Sequence, residues 1–150
     1  MHLKLPPPII ALCAAGLLYG GTVLLPALTL TFPGQWAVAA VFAAAGLVLD
    51  GYSVLGFVRQ KTTINPLSPE TASHLVTSGF YRYTRNPMYL GMALLLTALA
   101  LYWGTLTALA VLPAFVWYLT EFQIKPEETS LRSLFGADYD AYCARVRRWI

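Results

Sequence analysis

The chain has 150 residues, of which 57% are apolar and only 11% carry a charge. Soluble domains usually carry about 25% charged residues, so much of this chain's surface is predicted to face something other than water. The net charge of +3 does not indicate nucleic-acid binding, because the ten lysines and arginines fall in three segments between long apolar runs. Basic segments beside apolar runs are typical of membrane proteins. The length fits a single domain.

The cysteine and histidine pattern indicates neither a disulfide framework nor a metal site. Cys13 lies in an apolar run and Cys143 lies near the other end of the chain. No spacing of Cys and His residues resembles that of a metal site. Both thiols are interpreted as small packing residues.

Two apolar runs in the first half of the chain predict membrane-spanning helices. About 20 residues are needed to cross the hydrocarbon core, and residues 9–30 and 35–58 meet that length, with Phe32-Pro33-Gly34 as the turn between them. Small residues around Gly46 would let a neighbouring helix approach closely. Asp50 stands out, because a carboxylate within a span is costly and indicates a functional site. Its position towards the basic end of the span is equally compatible with solvation at the interface.

The uncharged stretch 87–120 is too long for one span and somewhat short for two. It predicts a helical hairpin with short or tilted arms at about 87–102 and 105–120, turning at Gly104. Pro113 is expected to kink the second arm. The chain is therefore predicted to be an all-α integral membrane protein of about four transmembrane helices.

The distribution of cations predicts the orientation of these spans. The positive-inside rule places Lys- and Arg-rich segments in the cytoplasm, and four spans put every cation of this chain on one side. Both termini and the middle loop are therefore predicted to be cytoplasmic, most simply in a bacterial inner membrane. The ten cations are Lys4, Arg59, Lys61, Arg82, Arg85, Lys125, Arg132, Arg145, Arg147 and Arg148.

Two polar segments on that side could carry chemistry. Asn86 followed by Pro87 is typical of a helix N-terminus, whose free N–H groups suit a carboxylate or phosphate. Glu127 and Glu128 follow the hairpin, where they would either complement a helix dipole or bind a polar ligand group. Apolar residues at helical spacing over 127–149 predict an interfacial amphipathic helix. On the residues alone, ordinary helix starts without a ligand remain the alternative interpretation of both motifs.

These segments resemble the isoprenylcysteine carboxyl methyltransferase family and the related phospholipid N-methyltransferases. Three motifs carry the resemblance, which covers residues 73–149. The first is Leu75-Val-Thr-Ser-Gly-Phe-Tyr81 and the second is Arg85-Asn-Pro-Met-Tyr-Leu-Gly91. The third begins at Glu127-Glu128 and continues through Leu131, Phe135-Gly136, Tyr139 and Tyr142.

The resemblance implies a membrane enzyme that uses S-adenosylmethionine as cofactor and methylates a lipophilic or amphiphilic acceptor at the cytoplasmic face. It implies a cofactor site built from segments 73–91 and 123–142 of a single domain, 1–150. The charge distribution and the Cys and His spacing give the further expectation of no nucleic-acid and no metal partner. Membrane lipid is the expected surrounding partner. By position, the cofactor contacts would be Ser73, His74, Leu75, Val76, Tyr81, Asn86, Pro87, Met88, Tyr89 and Glu127.

The resemblance also suggests catalytic and substrate residues. Arg85 would add a fixed charge beside the cofactor site, and Glu128 is the candidate base for a protonated amine acceptor. The prenylcysteine enzymes carry an arginine, associated with the substrate carboxylate, at the position of Gln123, which is therefore a candidate substrate-binding residue. The missing cation argues against a prenylcysteine carboxylate as the acceptor.

Two other functions fit parts of the sequence. Membrane steroid and sterol reductases share a segment similar to the second motif and bind a nicotinamide dinucleotide. A non-catalytic membrane scaffold could also retain the fold. Binding of adenosylmethionine, of a dinucleotide or of neither separates the three hypotheses.

Overall fold

The structure, a computed structural model, describes residues 5–59 and 75–150, and helices dominate both segments. No strand occurs among these residues, apart from one isolated bridge between Thr29 and Thr105. The fold class predicted from the sequence is therefore confirmed as all-α. The α-helices are α1 (Pro7–Leu24), α2 (Gln35–Arg59), α3 (Pro87–Trp103), α4 (Ala108–Leu119) and α5 (Lys125–Arg145).

Two of the described helices are long and apolar enough to cross a membrane, namely α1 and the part of α2 from Gln35 to Gly56. Their apolar side chains are largely uncovered by protein, as Leu12 at 72% exposure and Leu47 at 63% illustrate. Exposed apolar surface of this extent is unfavourable in water and favourable in lipid. Helix α3 is also apolar but shorter.

Helix α1 ends at Leu24, six residues before the end predicted for the first span. Proline disfavours the helical conformation of the residue before it, and Leu25, which precedes Pro26, leaves the helix with φ −127° and ψ 59°. A short 3₁₀ turn, Pro26–Leu28, follows. The predicted span 9–30 was therefore too long at its C-terminal end.

The two turns at this end of the molecule are joined by hydrogen bonds. The N–H of Leu30 donates to the carbonyl of Gly104 at 2.7 Å, and the N–H of Leu106 donates to the carbonyl of Leu28 at 2.8 Å. Gly104 closes α3 with φ 68°, and a side chain there would overlap the carbonyl of Leu30. The hairpin turn predicted at Gly104 is confirmed, and only glycine fits it.

Helices α2 and α3 pack closely through two glycines. A Cβ at Gly46 would lie 2.9 Å from the carbonyl oxygen of Gly91 and would also collide with Leu95. A Cβ at Gly91 would overlap the carboxylate of Asp50. The close approach predicted around Gly46 is confirmed, and it brings Asp50 directly against α3.

The segment after the hairpin differs from the single amphipathic helix predicted over 127–149. A π-helical turn, Thr120–Ile124, joins α4 to α5. Gly136 breaks α5 with φ 50° and ψ −123°, a conformation that favours glycine, and the helix ends at Arg145. The last residues therefore leave the helix and lie against Thr84, Arg85 and Asn86, as their hydrogen bonds show.

Candidate active site

Glu127 is the centre of a cluster of polar side chains drawn from two helices and the π-helical turn. Its Oε1 accepts a hydrogen bond from the Tyr89 hydroxyl at 2.5 Å and another from the Gln123 Nε2 at 2.6 Å. Tyr89 lies in the first turns of α3, and Gln123 lies in the π-helical turn. The second oxygen, Oε2, receives no hydrogen bond from any residue of the two described segments. Both hydrogen bonds of the cluster therefore go to the same oxygen of Glu127.

Burial governs the protonation of this carboxylate. It raises the pKa of Glu127 to about 7, although the hydrogen bonds from Tyr89 and Gln123 act in the opposite direction. At neutral pH, a carboxyl group whose pKa lies near 7 is protonated in part of the molecules. It must lose this proton before it can form an ion pair with a cation. The Glu127 carboxyl is therefore only partly ionised near neutral pH.

The first motif packs against α5 and the C-terminal tail. The Tyr142 hydroxyl of α5 donates to the carbonyl oxygen of Tyr81 at 2.7 Å, which ties the motif to the C-terminal helix. Leu75 packs against Tyr139, Tyr142 and Val146, while Val76 is itself buried. Burial raises the pKa of the Tyr81 hydroxyl, and the negative charges of Glu127 and Asp50 add to this effect. Tyr81 therefore remains neutral and within electrostatic reach of both carboxylates.

Glu128 has different surroundings from Glu127, although the two are adjacent in sequence. It is 9% exposed, and it forms an ion pair with the Arg85 Nη2 at 3.1 Å. The Arg148 guanidinium contacts both of its oxygens, at 2.9 Å and 2.8 Å. Such a bidentate pair fixes orientation as well as charge. Glu128 therefore links the second motif to the C-terminal tail.

Backbone contacts extend this link along the second motif. The N–H of Arg85 donates to the carbonyl of Arg147 at 3.0 Å. The carbonyl of Arg148 accepts hydrogen bonds from the Thr84 hydroxyl at 3.2 Å and from the Asn86 Nδ2 at 2.9 Å. The tail from Val146 to Trp149 therefore holds the residues that lead into α3.

The structure assigns positions to most of the residues singled out in the sequence. Tyr89, Gln123 and Glu127 meet in one cluster. Pro87 opens α3 as its first residue, and Met88 follows it, partly buried. Ser73 and His74 lie outside the described residues. Arg85 and Glu128 form a pair of their own, in which the Arg85 Nη1 also contacts the Cys143 sulfur.

Asn86 occupies the predicted N-terminal boundary of α3 but does not cap it with its side chain. Its amide donates instead to the C-terminal tail, and the first turn keeps its backbone N–H groups directed out of the helix. The capping hydrogen bond that is typical of asparagine at this position is therefore replaced by a tertiary contact. This corrects the local interpretation of the motif and preserves the open helix start.

Sequence reasoning missed the roles of Arg148, Trp149 and Thr84. In the sequence, Arg148 serves only to predict the orientation of the spans, yet in the structure it forms an ion pair with Glu128. The Trp149 indole donates to the Thr120 hydroxyl at 3.1 Å, just before the π-helical turn. Thr84 is only 3% exposed, and its hydroxyl forms hydrogen bonds with Arg148 and Asn86. Buried polar groups of this kind are normally hydrogen-bonded, but the sequence gives no signal that Thr84 is buried.

Over 5–59 and 75–150, no group of three or more His, Cys, Asp and Glu side chains is arranged to hold a metal ion. The polar site defined by the structure thus consists of carboxylates, tyrosine hydroxyls, an amide and guanidinium groups, at the end of a helical bundle with lipid-compatible surfaces.

Two long apolar helices whose side chains are largely uncovered by protein indicate a membrane protein. The family model for phospholipid methyltransferase matches residues 34–138. The chain therefore belongs to the phospholipid methyltransferase family. This agrees with the resemblance found in the motifs and gives no support to a reductase or to a scaffold.

One curated relative extends the comparison. An uncharacterized protein of Haemophilus influenzae is 41% identical over 63 residues, which make up 42% of this chain and 100% of the relative. No solved structure matches the chain.

Proposed function

We propose that the protein transfers a methyl group from S-adenosylmethionine to a lipophilic or amphiphilic acceptor at the cytoplasmic face of the membrane. The cluster of Glu127, Tyr89 and Gln123 is the observation that carries the proposal. It joins the second and third family motifs around a carboxylate that retains one oxygen for a ligand. Membership of a methyltransferase family supplies the reaction class.

The residues present fit this cofactor, which carries a carboxylate, an ammonium group, two ribose hydroxyls and a sulfonium. The outward N–H groups of Met88 and Tyr89 at the start of α3 suit the carboxylate. Oε2 of Glu127 suits either the ammonium group or the hydroxyls, as an acceptor that two neighbouring donors hold in place. Leu75, Val76 and Tyr81 would provide apolar and aromatic surface, with Ser73 and His74 completing the set assigned by resemblance.

When bound, the cofactor supplies an already activated methyl group, so the chain's contribution is positioning and the exclusion of water. Tyr89 and Gln123 fix the orientation of the Glu127 carboxylate. The tie between Tyr142 and Tyr81 holds the first motif against the site. We assign Arg85 and Glu128, which were predicted as catalytic residues, to positioning, because the contacts of Glu128 within the described segments are to guanidinium groups.

The neutral side chain of Gln123 limits which methyl acceptors fit the site. It is 2% exposed and donates to Glu127, so it belongs to the wall of the cofactor cluster. An arginine at this position would place its charge beside Glu127 and compete with a cationic ligand for it. A neutral amide keeps the carboxylate available. We therefore propose an acceptor other than an anionic prenylcysteine, with Gln123 contributing polarity and shape to the site.

Calorimetry on the purified protein in detergent tests the proposed function. The wild-type protein is expected to bind S-adenosylmethionine and its demethylated product, S-adenosylhomocysteine. A nicotinamide dinucleotide, titrated under the same conditions, serves as the competing ligand. Binding of the dinucleotide alone would favour a reductase, and no binding of any of the three would remove the enzymatic hypothesis.

We further propose that α1, α2, α3 and α4 all span the membrane, with the site and both termini in the cytoplasm. The uniform placement of the cations supports this orientation. Reporter fusions at Lys4, near Ser68 and at Ile150 are expected to be cytoplasmic, and a fusion at Gly34 is expected to lie on the opposite side. A cytoplasmic Gly34 would contradict the orientation.

A further inference from the structure

Three exposed arginines near the family motifs carry charges that no acidic side chain compensates. The other cations of segment 75–150 form ion pairs, namely Arg85 and Arg148 with Glu128, Lys125 with Glu121, and Arg132 with Asp140. Arg82, Arg145 and Arg147 are exposed and form no ion pair with any residue that the structure describes. Their uncompensated positive charge attracts anions.

The fold brings these arginines together from two segments that are distant in the chain. Arg82 ends the 3₁₀ turn Gly79–Arg82, Arg145 ends α5, and Arg147 follows in the tail. Two hydrogen bonds join the segments on either side of Arg82 and Arg145. They run from the Tyr142 hydroxyl to the carbonyl of Tyr81 at 2.7 Å and from the N–H of Arg85 to the carbonyl of Arg147 at 3.0 Å. The three arginines therefore belong to one surface, which we call the arginine surface.

The arginine surface lies at the boundary between a polar segment and an apolar helix. Helix α3 begins at Pro87, shortly after Arg82, and no charged residue occurs from there to Thr120. In a membrane protein, such a boundary lies at the depth of the lipid headgroups. Tyr83, next to Arg82, is 74% exposed. An aromatic ring with a polar tip is favoured at this depth.

From the uncompensated arginines, the hydrogen bonds that join their segments and the exposed tyrosine beside them, we infer that the arginine surface binds the headgroup phosphate of an anionic phospholipid. This lipid is neither the methyl acceptor nor the cofactor. A phosphate shared by Arg82 and Arg147 holds the tail against the second motif from the exposed side. Glu128 holds the same two segments together from the buried side, through Arg85 and Arg148.

The charge of the surface selects among the possible phosphate ligands. A zwitterionic phospholipid carries the same phosphate, but its own ammonium group compensates that charge, so the arginines attract it less. Inorganic phosphate has no acyl chains to hold it at the end of an apolar helix. A phospholipid with a net negative charge provides both the uncompensated phosphate and the chains, and cationic segments beside membrane spans attract such lipids.

The test titrates dioctanoyl phosphatidylglycerol into the purified full-length protein in a neutral detergent and follows the thermal midpoint, which reports the apparent affinity. R82Q and R147Q are each expected to weaken binding about fivefold, the contribution of one arginine at an anionic lipid surface. R82K and R147K keep the charge and are expected to retain most of the affinity. Added salt is expected to weaken binding to the wild-type protein. Dioctanoyl phosphatidylcholine is expected to bind the wild-type protein and R82Q equally.

R132Q is the matched control, because Arg132 is an exposed arginine of α5 whose charge Asp140 already compensates. It is expected to leave the affinity for phosphatidylglycerol unchanged. Wild-type affinity in both R82Q and R147Q would overturn the inference, as would an equal loss in R132Q. Inorganic phosphate that stabilises the protein as strongly as phosphatidylglycerol would replace the lipid surface with a simple anion site. These titrations contain no cofactor, so a protein that does not bind S-adenosylmethionine can still confirm the arginine surface.

Discussion

Replacing Glu127 with alanine is expected to weaken S-adenosylmethionine binding by about 1–3 kcal/mol, the range for leaving a polar or charged partner unpaired. This corresponds to a decrease in affinity of roughly 5- to 150-fold. The variant loses the carboxylate and also leaves the Tyr89 hydroxyl and the Gln123 amide without their shared acceptor. Calorimetry on the purified variant measures the change.

The pH dependence of S-adenosylmethionine binding is a second test of the role of Glu127. Because burial raises the pKa of Glu127 to about 7, the carboxyl is largely protonated below that pH. A cationic ligand binds the ionised form, so its affinity is expected to rise as the pH increases through 7 and then to level off. Glu127→Gln is expected to remove this dependence.

Glu121 provides the matched control for both measurements. It belongs to the adjoining π-helical turn, is partly exposed and pairs with Lys125 at 2.5 Å. Glu121→Gln removes the same charge close by and is expected to change neither affinity nor its pH profile. If Glu127→Ala binds the cofactor as tightly as the wild-type protein, the assignment of Glu127 to the cofactor is wrong.

Replacing Glu128 with glutamine is expected to destabilise the protein strongly. The Arg85 and Glu128 side chains are 12% and 11% exposed, so the substitution leaves a buried guanidinium without its counter-charge. Loss of one partner of a buried pair costs about 3–5 kcal/mol. For a chain of this size the thermal midpoint would fall by roughly 6–20 °C. Thermal unfolding in detergent, followed by circular dichroism, measures the shift.

Arg132→Gln is the control for this second prediction. Arg132 pairs with Asp140 at 2.7 Å, but the two side chains are 52% and 58% exposed. An exposed ion pair contributes only about 0–1 kcal/mol, so the midpoint should change little. Equal shifts for Glu128→Gln and Arg132→Gln would show that the Glu128 cluster does not hold the C-terminal tail in place.

The predicted helices followed the sequence closely wherever composition and local breakers decide structure. The apolar runs formed α1, α2, α3 and α4, and the breakers Pro33-Gly34 and Gly104 separated them. The boundary misplaced at the end of α1 could have been predicted correctly, because Pro26 is a helix-breaking signal present in the sequence. These features are local, so a single sequence suffices to predict them.

Contacts between segments that lie far apart in the chain could not be predicted from local sequence patterns. Nothing in the residues alone relates Arg148 to Glu128 or directs the Asn86 amide to the carbonyl of Arg148. The break at Gly136 and the helix end at Arg145 create these contacts, because they turn the tail back across the second motif. A glycine within a helical pattern is ambiguous until its φ angle is known.

The sequence by itself determined that this protein is an all-α, membrane-compatible chain with its cations in a few segments and its motifs between them, because hydrophobicity and charge act residue by residue. The motifs also identified the family, since their spacing survives in the linear order. Only the tertiary structure decided that adjacent Glu127 and Glu128 differ in environment, one bonded to Tyr89 and Gln123 and the other between two guanidinium groups. It also placed Asp50 against Gly91. Burial and the pairing of charges depend on which helices approach each other, and that is a property of the packed molecule.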